Sequence, residues 1–157
     1  MKHTISLLVE NKFGVLARIA GLFSARGYNI ASLAVSETLD ATVSYMTIVV
    51  EARDEKILEQ IKKQLNKLID VITVTDFTKK EHLDRELILA KVNFSTKDKN
   101  KLENVFHKYV GKIIQHKGDS AIIEAVGDNV QIKALLEELH KFGVKELVRT
   151  GKLAISN

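Results

Sequence analysis

The 157 residues, 45% apolar and 28% charged, are enough for one large domain or two small ones of about 75 residues each. No Cys is present, which excludes a disulfide scaffold, a Cys-based zinc site and a thiol nucleophile, and suits a reducing compartment. Residues 1–76 carry nine Lys/Arg against nine Asp/Glu and residues 77–157 carry fifteen against eleven, so the net charge of +4 lies wholly in the second half. Apart from Lys97, Lys99 and Lys101 it is interspersed with acids, as on a solvated surface.

With no Pro in the chain, Gly, Asn and Asp must punctuate it. His3 to Val9 alternates as a strand, with Ile5, Leu7 and Val9 on one face. Leu16, Ile19, Ala20 and Phe23 then recur at helical spacing, and Gly27 stands where a left-handed cap is needed, so a helix is expected from Val15 to Arg26. Ile30 to Glu37 and Val43 to Glu51 read as a hairpin around the polar stretch Thr38 to Thr42. Asp54 is placed to cap a second helix with Ile57, Ile61, Leu65 and Leu68 as its stripe, and Val71 to Asp76 closes the unit as a fourth strand. The order is β-α-β-β-α-β, the ferredoxin-like arrangement.

The charged stretch Phe77 to Asp84 reads as a linker, after which the same order returns over residues 85–157. Glu86 to Phe94 is a strand, and Leu102, Val105, Phe106 and Tyr109 are a helix stripe. Lys112 to His116 and Ser120 to Val126 form a hairpin around Lys117, Gly118 and Asp119. Ile132, Leu135, Leu136 and Leu139 mark the second helix, and Val144 to Arg149 the last strand. The expected fold is therefore α+β, two ferredoxin-like domains of one topology, at 1–76 and 85–157.

No catalytic constellation shows. The five His residues form no close pair at helical ligand spacing, and no G-x-S-x-G, G-x-G-x-x-G or G-x-x-x-x-G-K-S/T run occurs. An enzyme would need an acid/base pair, for example among Asp128, His107 and His116. The strand VSYMTIVVE offers one aromatic, Tyr45, and no basic residue, against RNA binding by base stacking on a sheet. Apolar runs such as Leu7 to Val9 fall far short of the roughly 18 residues a membrane span needs, and the start MKHTISLLVEN lacks a cleavable signal shape, so a cytoplasmic protein is expected.

The informative junction is Glu10-Asn11-Lys12-Phe13-Gly14-Val15-Leu16. A helix N-terminus exposes unpaired N–H groups and receives a carboxylate; Gly14 allows close approach, and Asn11 supplies an amide that accepts from an ammonium or donates to a carboxylate. That chemistry suits a free amino acid. The same residues also make an ordinary strand-to-helix turn.

The run ENKFGVLARIAGLFSARGYNIASLAVSET, with GLF followed by RGYNI and SL, resembles the ACT domain of the acetolactate synthase (acetohydroxyacid synthase) small-subunit family. The resemblance continues through MTIVVEARDEKILEQIKKQLNKLIDVITV and RELILAKV to KELVRTGKLAI. It departs at Ala17, where Ser is common, and ends at Asn157, where relatives often continue. It implies a non-catalytic regulatory subunit in branched-chain amino acid biosynthesis, making valine and isoleucine. Such a subunit stimulates its catalytic large subunit and binds valine, or leucine or isoleucine, for feedback inhibition. Thiamine diphosphate, FAD and Mg²⁺ are implied on the large subunit and no cofactor on this chain. The family pairs two ACT domains side by side as a homodimer. Carried over, Asn11, Gly14, Val15 and Leu16 form the loop side of the effector site, and Asn29 and Ile30 the partner side. On the residues alone Asn29 also reads as a turn position and Ile30 as core. A free-standing amino-acid-sensing ACT protein is the other regulatory reading; no helix-turn-helix accompanies the two domains.

Overall fold

The computed structural model describes residues 2–53 and 55–157. The expected cap at Asp54 lies outside the described residues. The elements in order are β1 (Lys2–Glu10), α1 (Val15–Ala25), β2 (Asn29–Glu37), β3 (Val43–Glu51), α2 (Glu55–Leu65), β4 (Val71–Asp76), β5 (His82–Asn93), a 3₁₀ turn (Thr96–Asp98), α3 (Lys99–Phe106), β6 (Gly111–Lys117), β7 (Ser120–Gly127), α4 (Asn129–His140), β8 (Val144–Arg149) and β9 (Leu153–Ser156). Two β-α-β-β-α-β runs are present, as the periodicities imply, and the chain divides into two compact units, residues 1–83 with 152–157, and 84–151.

In the first unit the sheet order is β2-β3-β1-β4, all antiparallel, with β1 central and β2 at one edge. Register pairs Lys2 and Asn29 with Glu51 at one end, and Glu10 with Val43 and Glu37 with Ser44 at the other. One face carries Ile5, Leu7, Val9, Met46, Ile48 and Val50, which pack with Val15, Ile19, Leu22 and Phe23 of α1 and Leu58, Ile61 and Leu65 of α2. Fully burying each large aliphatic side chain contributes about 1.5–3 kcal/mol, so this layer holds α1 to the sheet. The buried stripe of α1 differs from the expected one: Val15 takes the core position and Leu16 stays 42% exposed. Gly27, at φ +67, ends the helix, with the Tyr28 N–H donating to Phe23 O at 3.0 Å.

Two sequence boundaries are drawn differently by packing. The stretch read as a linker opens on Phe77, which is 2% exposed and stacks on His82 at 4.8 Å between ring centroids, and β5 begins at His82. The last strand read from periodicity is β8, but β9 follows it and belongs with the first unit. Tyr45 Oη donates to Ala154 O at 2.7 Å, and the Lys152 N–H to Ser32 Oγ at 3.1 Å. Four residues held by such long-range bonds leave no local periodicity to read.

The second unit's sheet has the order β6-β7-β5-β8. Ile88, Ala90, Val92, Ala121, Ile123 and Ala125 face Leu102 and Val105 of α3 and Ile132, Leu135 and Leu139 of α4. Asp128 caps α4 in a capping box: its carboxylate accepts from the Gln131 N–H at 2.8 Å while Gln131 Oε1 accepts from the Asp128 N–H at 3.0 Å.

Candidate functional site: the loop between β1 and α1

The junction after β1 is shaped by where its backbone polar groups go. The Asn11 N–H donates to Thr42 O at 2.7 Å and Asn11 Nδ2 to Ala41 O at 2.8 Å, so the loop is fastened to the β2–β3 turn. This directs the amide: with Nδ2 committed, Oδ1 is the atom left to accept from an ammonium. The turn is itself braced by Asp40, whose Oδ1 accepts from Thr42 Oγ1 at 2.6 Å and from the Thr42 N–H at 2.9 Å. These hydrogen bonds hold the Asp40 carboxyl below the ordinary carboxylate range.

Gly14 is the residue before α1 and adopts φ +81, ψ −5, a left-handed conformation that costs an ordinary L residue about 1–2 kcal/mol. It provides no side-chain cap; the Val15 N–H donates to Lys12 O at 3.3 Å, so the N–H groups of Leu16 and Ala17 and the positive end of the helix dipole are what the first turn of α1 presents to an anion. A Cβ at Gly14 would lie 3.6 Å from Arg18 Nη1, so a guanidinium stands beside the same helix start. Arg18 is held by Asp70: Nε and Nη2 both lie 2.8 Å from Asp70 Oδ2, and the Asp70 carbonyl accepts from the Glu10 N–H at 2.9 Å. Lys12 pairs with Glu10 at 2.8 Å, and that hydrogen bond raises the Lys12 pKa.

Beside this loop lies an open cavity of about 410 Å³. Asn11, Val15 and Leu16 line it from the loop and α1, and Val35, Ser36 and Glu37 from the far end of β2. Leu16 and Val35, 42% and 43% exposed, supply apolar wall, and Glu37 adds a carboxylate able to accept from an ammonium. The sequence reading missed the β2 contribution. Its signal is the hairpin register, which sets Glu37 opposite Ser44 and hence at the Asn11 end of the sheet.

The remaining named residues fall elsewhere in the chain. Asn29 lines a separate recess of about 340 Å³ with Gly27, Glu51 and Arg53, and Ile30 is half-buried against the core. Nine residues of β2 at about 3.3 Å each put Asn29 and Glu37 about 26 Å apart, so one chain by itself does not join Asn29 to Asn11. The strand between them is a sheet edge on which Asn29, Ala31 and Val35 are exposed.

The acid/base combination considered for an enzyme does not assemble: His107 and His116 line one cavity of the second unit, and Asp128 is engaged as a helix cap. Among the described residues no group of three or more His, Cys, Asp or Glu side chains is placed to hold a metal ion, and no helix is long and apolar enough to cross a membrane.

Comparison with known proteins covers both units. Residues 5–73 match the family described as AHAS small subunit-like ACT domain, and residues 85–157 the family described as small subunit of acetolactate synthase. A probable acetolactate synthase small subunit of Archaeoglobus fulgidus is 46% identical over 155 residues, covering 99% of this chain and 96% of that protein. The acetolactate synthase small subunit of Mycobacterium leprae is 46% identical over 154 residues, covering 98% and 90%. The crystal structure of the acetolactate synthase small subunit from Thermotoga maritima superposes with a TM-score of 0.89 at 36% identity, covering 100% of this chain and 98% of that one.

Proposed function

Because this chain belongs to the acetolactate synthase small-subunit family and carries its ACT domain, we propose that it works as the regulatory subunit of a two-component acetolactate synthase in branched-chain amino acid biosynthesis. In this reading the catalytic large subunit is its partner, and thiamine diphosphate, FAD and Mg²⁺ reside there. This chain binds none of them and is not itself an enzyme. It works in the cytoplasm, stimulates the large subunit, and binds valine, or leucine or isoleucine, to deliver feedback inhibition.

The observation that carries the effector reading is the geometry of β2. Among the described residues its outer edge pairs with no other strand, and its C-terminal end lines the loop cavity. Antiparallel pairing of two β2 edges about a two-fold axis at Leu33 joins two sheets into one. It sets the partner's Asn29 opposite Glu37, and so beside Asn11, Val15 and Leu16. The residues that one chain keeps about 26 Å apart then meet across the dimer. In the completed site the N–H groups after Gly14 take the effector carboxylate, Asn11 Oδ1 and the partner's Asn29 orient the ammonium, and Leu16, Val15 and the partner's Ile30 surround the branched side chain.

A ligand that bridges two chains favours the dimer geometry that closes on it. By differential affinity alone it shifts how the catalytic subunit is held. Selection among the branched side chains rests on methylene-sized differences worth about 1–3 kcal/mol each. The test is a thermal-melt series of the purified chain with valine, leucine, isoleucine and alanine. A ligand that binds only the folded dimer raises the midpoint once its concentration passes the dissociation constant. A rise with a branched-chain amino acid and none with alanine supports the reading; equal curves for all four at millimolar concentration overturn the effector site.

A further inference from the structure

Among the described residues the three most exposed large apolar side chains are Leu39 at 110%, Phe13 at 103% and Ile69 at 94%, and all three stand at one end of the first unit's sheet. Phe13 is in the loop after β1, Leu39 in the turn between β2 and β3, and Ile69 in the loop that leads from α2 into β4. Backbone hydrogen bonds set these segments side by side: the Asn11 N–H donates to Thr42 O at 2.7 Å, and the Glu10 N–H to Asp70 O at 2.9 Å. From β2 to β4 the sheet spans three strand spacings, about 14 Å, so one partner surface reaches all three tips.

The fold of the single chain makes no use of these side chains. None of them packs on the first unit's core, and Phe13 stays off the loop cavity although Lys12, Val15 and Leu16 line it. Positions of this kind ordinarily hold small or polar residues. Together the three present roughly 500 Å² of apolar surface, the size of the patches that mark interaction sites on soluble proteins. A stable interface takes about 800 Å² from each partner, with an apolar centre inside a polar rim. The three tips are large enough for such a centre, and the Lys12–Glu10 pair and Asp40 supply rim beside it.

Charge and symmetry select the occupant. These three segments carry Glu10, Glu37, Asp40 and Asp70 against Lys12 and Lys67, a net acidic end unsuited to anionic lipid headgroups. Antiparallel pairing of two β2 edges sends the two patches to opposite ends of the joined sheet, so the homodimer does not cover one patch with the other. What remains is a second kind of protein chain, which membership of a small-subunit family supplies. We propose that Phe13, Leu39 and Ile69 are the apolar centre of the surface on which the catalytic large subunit docks. This rests on the reading of the chain as a regulatory subunit. The placement also provides the coupling: Phe13 directly precedes Gly14, so a partner that grips Phe13 and an effector at the start of α1 bias one loop, and each alters the affinity of the other.

The test measures the affinity of the full chain for the acetolactate synthase large subunit of the same organism, by biolayer interferometry, for the parent and for Phe13→Ser, Leu39→Ser and Ile69→Ser. Each substitution is expected to weaken the complex about tenfold, and Leu39→Ser with Ile69→Ser about a hundredfold. Because these side chains stand clear of the core, the melting temperature and the sedimentation of the free chain stay as in the parent. Leu39→Ser and Ile69→Ser also leave valine binding intact. Val130→Ser, at a 75% exposed position of α4, is the control and keeps parental affinity. Unchanged affinity in the Leu39→Ser, Ile69→Ser double variant overturns the proposal, as does an equal loss in Val130→Ser. Loss of self-association in the free chain, with the large-subunit affinity kept, assigns the patch to a second copy and overturns it too. A parent chain that binds no large subunit overturns the regulatory-subunit reading along with it, an outcome distinct from the other three.

Discussion

Both Nε and Nη2 of Arg18 lie 2.8 Å from one carboxylate oxygen, Oδ2 of Asp70, a residue 52 positions further along the chain. Asp70 is 7% exposed, and its carbonyl also receives the Glu10 N–H, so one residue ties the end of β1 and the first turn of α1 to each other across the candidate effector loop.

Removing the guanidinium leaves that carboxylate short of its donors, a loss of about 1–2 kcal/mol after allowing for the half-exposed Arg18 side chain. Arg18→Ala is expected to lower the unfolding free energy obtained from urea denaturation by that amount and to weaken valine binding. Arg18→Lys, which returns the charge without the planar fork, recovers part of both. Paired denaturation and calorimetry on the two variants check this; full valine affinity in Arg18→Ala would mean that the brace does not shape the site.

At Gly14 the left-handed backbone and the proposed anion site coincide, and the two are separable with a pair of nearly isosteric side chains. Asn and Asp both tolerate φ +81 better than other L residues, so Gly14→Asn and Gly14→Asp carry similar backbone strain. Only Asp sets a negative charge where the effector carboxylate belongs. The expected outcome is comparable melting temperatures, valine binding reduced in the Asn variant, and binding abolished in the Asp variant. Equal affinities would place the carboxylate away from the α1 N-terminus.

Acid stability of the first unit is expected to depend on Asp76. Burial opposes ionisation of its carboxyl, but hydrogen bonds from Thr78 and from Lys62 outweigh this and hold its pKa below the ordinary value of 3.8. A depressed carboxyl contributes stability above its unfolded pKa and loses it as pH falls through the folded one. Asp76→Asn should therefore be less stable than the parent at neutral pH and lose less on acidification below about pH 4. Melting curves from neutral to acid pH give the comparison; parallel pH dependence in the two proteins would assign the acid limb to other carboxylates.

The edge of β2 makes a prediction about assembly. Ala31 is exposed and is skipped in the ladder between β2 and β3, so a longer side chain there leaves the single chain undisturbed. Pairing of two β2 edges at Leu33 would face it toward the partner's Val35. Ala31→Glu is expected to shift sedimentation from dimer toward monomer, with unchanged circular dichroism and loss of valine binding. A dimer of undiminished stability would put the homodimer contact elsewhere.

Much of the fold was legible because period and punctuation agree. The stripe through Ile19 and Phe23 with Gly27 after it locates α1, and the polar turn Thr38 to Thr42 locates the first hairpin. What escaped depends on contacts distant in sequence. β9 is bound through Tyr45, 109 positions away, and Phe77 is buried although it opens a largely charged stretch. The same holds at the site: Asn11, Gly14 and Val15 form one local junction. Val35, Ser36 and Glu37 join it only through the register of a hairpin, and Asn29 lies at the other end of the same strand.

The claim that the effector site is shared between two chains is tested most directly by mixing two disabled proteins. Asn11→Ala damages the loop side and Asn29→Ala the partner side, and each homodimer is expected to bind no valine by calorimetry. In a heterodimer of the two, one site carries both substitutions and the other carries neither. A fully exchanged equimolar mixture should therefore regain about a quarter of the parental valine stoichiometry at parental affinity. A mixture that binds no more valine than its separate components would contradict a site built across the dimer.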